Sequence, residues 1–167
     1  MIAYKLFKVK KDGLHTLYID TNAPLPMNEL LVAKEGEKTE KGKVKSKLGE
    51  LAFRPGWHCC IVPLADHIGT KQPNGELYQA KDTVWCEVEI VGSIDYTPIA
   101  KEQHKSAKFQ CLKIIPQNGY YFFQTNPKAK IQWIICGEIV INRILTPEEV
   151  NSICRDYGVE PQPLSEF

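Results

Sequence analysis

Apolar residues in this chain recur chiefly at every second position, and that period points to strands before anything else. From Val84 to Val91 the alternation is strict, with Val84, Cys86, Val88 and Ile90 on one side and Trp85, Glu87, Glu89 and Val91 on the other. Ala3 to Val9 alternates as well, placing Ala3, Lys5, Phe7 and Val9 opposite Tyr4, Leu6 and Lys8. Lys11-Asp12-Gly13 supplies a turn into a second strand from Leu14 to Ile19, which predicts a β-hairpin over residues 2–20. Ile131 to Ile141 is apolar on both sides, as a strand in the middle of a covered sheet must be. Only one stretch carries a clear helical period: Val150, Ile153, Cys154 and Tyr157. In front of it Thr146-Pro147-Glu148-Glu149 makes a capping box with Pro at the first helical position, and Gly158 ends it.

The connecting segments are read from their breakers. Asn22 to Pro26 interrupts the chain, and Met27 to Ala33 is either a helical turn or a short strand. Lys34 to Glu50 holds six lysines and four glutamates with no periodic apolar set, so it is expected to be a mobile loop. Pro63 to Ile68 reads as one helical turn stopped by Gly69. Asp95 to Lys108 reads as loop with some helix, and Phe109 to Ile115 and Tyr120 to Phe123 as strands. The sum is six or seven strands and one C-terminal helix, with no strand–helix alternation. That predicts an α+β domain with a mostly antiparallel sheet over residues 1–160 and an extended or frayed tail over 161–167.

A chain of 167 residues suits one domain. Its net charge of +1 excludes a strong whole-molecule attraction to nucleic acid or to an anionic membrane. No apolar run approaches the roughly 20 residues that cross a bilayer. The N-terminus alternates where a secretory signal would be continuously apolar, so the expected location is cytoplasmic. The six cysteines are then expected as free thiols, four of them in apolar stretches and two, Cys59 and Cys60, adjacent. Neither GxGxxG nor GxxxxGK[ST] occurs.

Two places carry residues suited to chemistry. Arg54-Pro55-Gly56-Trp57-His58-Cys59 turns sharply and then offers a stacking surface, a proton carrier and a guanidinium fork, a mixture that fits a planar anion such as a nucleotide. The same residues equally describe a turn whose Trp57 plugs the core and whose His58 satisfies a backbone carbonyl. The second place is Glu138, which on simple alternation shares a face with Ile134, Cys136 and Val140. A carboxylate there is costly to desolvate unless it is paired, with Lys5 or Arg143 for instance, or opens on a cleft. Gly137 beside it permits a bulge or a close approach. Glu87 and Glu89 sit on the polar side of their strand, as a solvated face would have them. His58, Cys59, Cys60 and His67 lack the paired spacing of zinc sites, so no metal site is assigned. His58 and Cys59 are strand neighbours and point to opposite faces, a poor base–nucleophile pair.

Tyr4-Lys5-Leu6-Phe7, Arg54-Pro55-Gly56-Trp57-His58-Cys59 and Val84-Trp85-Cys86-Glu87-Val88-Glu89-Ile90 together resemble a family of small uncharacterised proteins encoded by phages and bacterial mobile elements. The order of a basic residue on the first strand, a Gly-aromatic-His strand and a late apolar strand with one Glu is similar to the split sheet of the ADP-ribosyltransferases. That resemblance implies NAD as cofactor, held by Lys5, Arg54 and Trp57, with His58 orienting it and Glu138 stabilising the ribosyl cation. Lys5 stands where the transferases have Arg or His, no Ser-Thr-Ser-like segment follows Gly56, and no ExE precedes Ile139. The expectation is thus a nucleotide-sized cleft that binds NAD or transfers ADP-ribose. The alternative is a non-enzymatic accessory protein that docks on a host protein through the 34–50 and 101–113 segments.

Overall fold

The computed structural model describes residues 1–103, 111–124 and 129–167. Their strands, in chain order, are β1 (Ile2–Lys10), β2 (Gly13–His15), β3 (Leu30–Val32), β4 (Val44–Ser46), β5 (Gly49–Leu51), β6 (Trp57–Cys60), β7 (Thr70–Lys71), β8 (Leu77–Tyr78), β9 (Thr83–Ile90), β10 (Ile94–Asp95), β11 (Gly119–Phe123), β12 (Trp133–Cys136) and β13 (Glu138–Ile144). The helices are α1 (Thr97–Gln103) and α2 (Pro147–Tyr157). The class is α+β and the pairing mostly antiparallel, the β10/β11 pair being parallel. No helix among the described residues is long and apolar enough to cross a membrane.

The main sheet runs β10-β11-β12-β6-β1-β9-β13-β3, with β2 folded back on β1. Its centre is the pair of strict alternators, β1 and β9, in register from Ile2 opposite Glu89 to Lys8 opposite Thr83. In contrast, β1 and β6 share one residue pair, Tyr4 with Cys60. Beyond it the two strands part. β12 and β13 are joined through Gly137 alone, yet β6, β1 and β9 lie between them in the hydrogen-bonded order. The sheet therefore curls until its two halves meet at Gly137.

That curl defines the core. Ala3, Phe7, Cys59, Cys86, Val88, Ile90, Ile134, Cys136, Ile139 and Ile141 form one buried cluster on the inner face. On the outer face α2 covers Leu6, Cys60 and Trp85 with Val150 and Cys154. A third cluster seats Ala100 of α1 against Tyr121, Phe123 and Ile135. All six cysteines are buried free thiols, which fits their use as small apolar residues.

Gly137 changes the side-chain parity. Ile134 and Cys136 before it and Ile139 and Ile141 after it all belong to the inner cluster, which continuous alternation forbids. Glu138 therefore does not share a face with Ile134 and Cys136, as simple alternation had it; it sits with Val140 on the outer face. Ile131 to Ile141 is accordingly two strands instead of one.

Other expectations change too. The hairpin's second strand stops at His15, and residues 16–25 fold back as turns. His15 is buried, its Nδ1 2.7 Å from the Thr21 carbonyl and its Nε2 2.6 Å from Asp12 Oδ1, which ties the returning chain to the hairpin. Lys34 to Glu50 is not structureless. It contains the β4–β5 hairpin, anchored by buried Val44, and its charges pair internally, Lys45 with Glu37 and Lys38 with Glu35. Residues 63–68 form turns without a helix, and Met27 to Ala33 contains strand β3. Cys111 to Ile115 is not strand, while Phe109 and Gln110 lie outside the described residues. The tail is held: Gln79 donates to the Pro163 carbonyl and Ser165 to that of Gln79, so 163–165 runs beside the chain at Gln79.

Helix α2 forms where its cap places it. Glu149 N–H donates to Thr146 Oγ1 at 3.2 Å, the Thr146 N–H donates to Glu149 Oε1 at 3.1 Å, and Gly158 at φ 91° closes the end. Thr146→Ala removes half of this exchange. Chemical denaturation should show a loss of about 1 kcal/mol, and an unchanged midpoint would mean the cap contributes nothing.

Candidate functional site

A cavity of about 1010 Å³ opens where β1 and β6 part. It touches inward-facing Lys5 and Trp57 and outward-facing Leu6, His58 and Cys60, so it passes through the split. Residues 16–20 form another wall, to which Leu30 to Lys34, Val44 and Leu51 to Pro55 add. Four of the five residues singled out from the sequence, Lys5, Arg54, Trp57 and His58, line this space together. Glu138 does not line it.

The local chain explains the convergence. Gly56 at φ 130° makes the turn after Pro55, and a Cβ there would lie 2.6 Å from Ile135 Cγ2 and 3.0 Å from the Cys136 carbonyl. The turn lets β6 start against β12 while Arg54 stays at the cavity wall. The Lys5 ammonium crosses the split and donates to the His58 carbonyl at 2.9 Å. It lies 5.8 Å from the Trp57 ring centroid and 5.7 Å from that of Phe7, within cation–π range. The Arg54 guanidinium stands 5.1 Å from the Phe123 ring.

The polar tips of the corner are directed at backbone. Trp57 Nε1–H donates to the Leu31 carbonyl at 3.0 Å. His58 Nε2 lies 2.9 Å from the Arg54 carbonyl, and since a carbonyl only accepts, this nitrogen carries the hydrogen. Burial pushes the His58 pKa down to about 4; the Arg54 carbonyl opposes that, and the Lys5 and Arg54 charges add to it. His58 is therefore neutral near pH 7 and a weak proton acceptor. Burial also lowers His67, on the same wall.

Among the described residues the thiol that lines the cavity is Cys60, which burial raises well above its usual range. Glu138 stands opposite Val32 on the outer face and forms no ion pair among the described residues. Arg143, its suggested partner, holds Glu87 at 3.6 Å and contacts Glu149 instead. Among the described residues, Asp20 is the one carboxylate lining the cavity. Cys59 and Cys136 interact within the inner cluster: the Cys136 hydrogen bond lowers the Cys59 thiol, and Cys136 is raised well above the usual range by that bond and by burial. Both are fully buried, and His58 points to the other face. Among the described residues no three His, Cys, Asp or Glu side chains are placed to hold a metal ion.

The sequence reading missed the wall from Thr16 to Asp20, which it placed in a strand, and the wall from Leu30 to Lys34. Neither carries a motif; the curl of the sheet brings them in. No family model, curated protein or solved structure matches the chain.

Proposed function

We propose that the protein is a binding module for a small amphipathic anion with a planar group, the nucleotide class being the first candidate and NAD its test member. The observation that carries this reading is the convergence of Lys5, Arg54 and Trp57 on one mainly apolar cavity. Among the described residues its lining holds three cations, Lys5, Lys34 and Arg54, and one carboxylate, Asp20. The volume lies at the upper end of the roughly 300–1,000 Å³ of ligand sites. Trp57 offers its ring face, its N–H being directed at Leu31, so the ligand stacks there and is anchored through charge. The reading is binding without ADP-ribosyl transfer, because Glu138, the residue that would steady the ribosyl cation, is absent from the cavity lining.

A melting-temperature panel of NAD, ADP-ribose, AMP and indole-3-carboxylate tests it. A ligand at 100 times its Kd adds about 2.7 kcal/mol by mass action, a shift of several degrees for a domain of this size. The shift should vanish in Lys5→Met and Trp57→Leu and persist in Glu138→Gln. No response to any of the four at millimolar concentration sinks the proposal, and loss of the response in Glu138→Gln reinstates the acid.

A further inference from the structure

One end of the large cavity is built from apolar side chains. Leu6 and Trp85 face each other across β1 and β9, and Cys60 and Trp133 across β6 and β12, so one pair stands on each side of the place where β1 and β6 part. All four line the cavity from the outer face, where Leu17, Ala65 and Ile68 join them. Leu6, Cys60, Ala65 and Trp85 are at most 7% exposed, so this end is a recess nearly closed to water. The polar side chains beside these pairs bring no charge. His58 directs its N–H at the Arg54 carbonyl and is neutral near pH 7. Burial lowers His67, whose ring meets that of Trp133 edge-on at 5.3 Å, and keeps the Cys60 thiol protonated.

The ionic residues of the lining are engaged or placed elsewhere. Lys5 donates to the His58 carbonyl, and its charge only partly offsets the effect of burial on Cys60. Arg54 stands against Phe123 of the third cluster, Lys34 follows β3, and Asp20 follows Ile19, which lies beside Gly36. An apolar recess without a charge holds no ordered water and favours hydrocarbon over any polar group. It joins the Trp57 corner between the backbones of β1 and β6, a passage that the Lys5 side chain already narrows. A flexible chain fits such a passage and a compact ring system does not.

We propose that the recess takes an aliphatic chain, so that the ligand is an amphiphile with its head at the Trp57 corner and its hydrocarbon tail at Trp85 and Trp133. The inference rests on the reading of the cavity as a ligand site and uses no charge of its lining.

All three tryptophans of the chain line this cavity, so the full chain reports its own occupant by fluorescence. The probes are hexanol, octanol, decanol, ω-bromodecanol and, as a compact molecule of equal carbon number, adamantanol. Affinity should rise about ten-fold for every two methylenes added, and decanol should bind at least ten-fold more tightly than adamantanol. Bromodecanol should quench Trp85, which at 2% exposure is out of reach of iodide in solution, and Trp85→Phe should remove that share of the quenching. Ala65→Leu fills the recess and should end the gain between octanol and decanol; if this variant melts below the assay temperature, Ile68→Phe makes the same test. Equal affinity for hexanol and decanol, or for decanol and adamantanol, overturns the proposal. So does quenching confined to tryptophans that iodide reaches, or a chain-length dependence that the filled recess leaves unaltered. Decanol binding without a nucleotide response removes only the planar-anion reading; a nucleotide response without decanol binding removes only the hydrocarbon tail.

Discussion

Gly137→Ala is expected to unfold with about 3 kcal/mol less free energy than the parent protein. A Cβ at this position would stand 2.6 Å from the Pro116 carbonyl oxygen and 3.2 Å from its carbon. Both are backbone atoms, so no rotamer change relieves the overlap. Three segments also meet here: Gly137 N–H donates to the Gly119 carbonyl at 3.2 Å, and its own carbonyl accepts from Ala33 at 2.8 Å. Moving any of them disturbs the point at which the curled sheet closes. Gly75→Ala is the control, because nothing lies within 4 Å of its Cβ and only the positive φ of 88° is at stake, a cost of about 1 kcal/mol. Urea denaturation of both variants measures the difference. Equal losses in the two would show that close approach at Gly137 is not what holds the turn.

His58 should make the protein lose stability in mild acid. Its pKa is 6.5 when unperturbed and about 4 in the fold, so the native state prefers the neutral ring by about 3 kcal/mol. A depressed histidine pKa means the unfolded chain takes up the proton first. The contribution is complete above pH 6.5 and declines as pH falls from 6.5 to 4, at up to about 1.4 kcal/mol per pH unit. His58→Gln keeps a side-chain N–H for the Arg54 carbonyl and removes the titration. Between pH 7 and pH 4.5 the parent should lose roughly 2 kcal/mol more than this variant. Asp12 and Glu149, both lowered by their partners His15 and Arg143, lose their contributions at more acid pH and do so alike in the two proteins. Parallel stability curves for parent and variant would contradict the burial of His58.

Much of the local structure was legible. The Thr146 cap, the stripe from Val150 to Tyr157 and the Gly158 stop mark helix α2 to within a residue, because caps act over a single turn. The alternation of Ala3 to Val9 and of Val84 to Val91 identified the central strands for the same reason: the period of a strand is written in its own side chains. The hairpin within Lys34 to Leu51 was not legible because one buried residue, Val44, together with ion pairs between neighbours, holds it against an existing wall. Residues 16–19 continue an apolar run, yet His15 is fastened to Thr21 and the chain turns back over the cavity. A buried histidine bond to a main-chain carbonyl leaves no mark in the spacing.

The candidate site divides along the same line. Arg54 to His58 lies within one turn and one strand, so its convergence was readable from five consecutive residues, and Lys5 joins it because β1 and β6 are neighbours in the sheet. Glu138 was assigned by extending an alternation through a glycine. Whether parity survives a glycine depends on what packs against it, and here Pro116 and Gly119 decide.

Taken alone, the order of residues settled the two central strands, where the one capped helix begins and ends, and which corner gathers an indole, an imidazole and a guanidinium. Only the folded sheet decided that β1 and β6 part after one pair, that the halves close on Gly137, and that the lone acid faces outward. Periodicity and capping are contests among residues a few positions apart. Curl, parity and cavities arise from contacts between segments tens of residues distant, which no local pattern encodes.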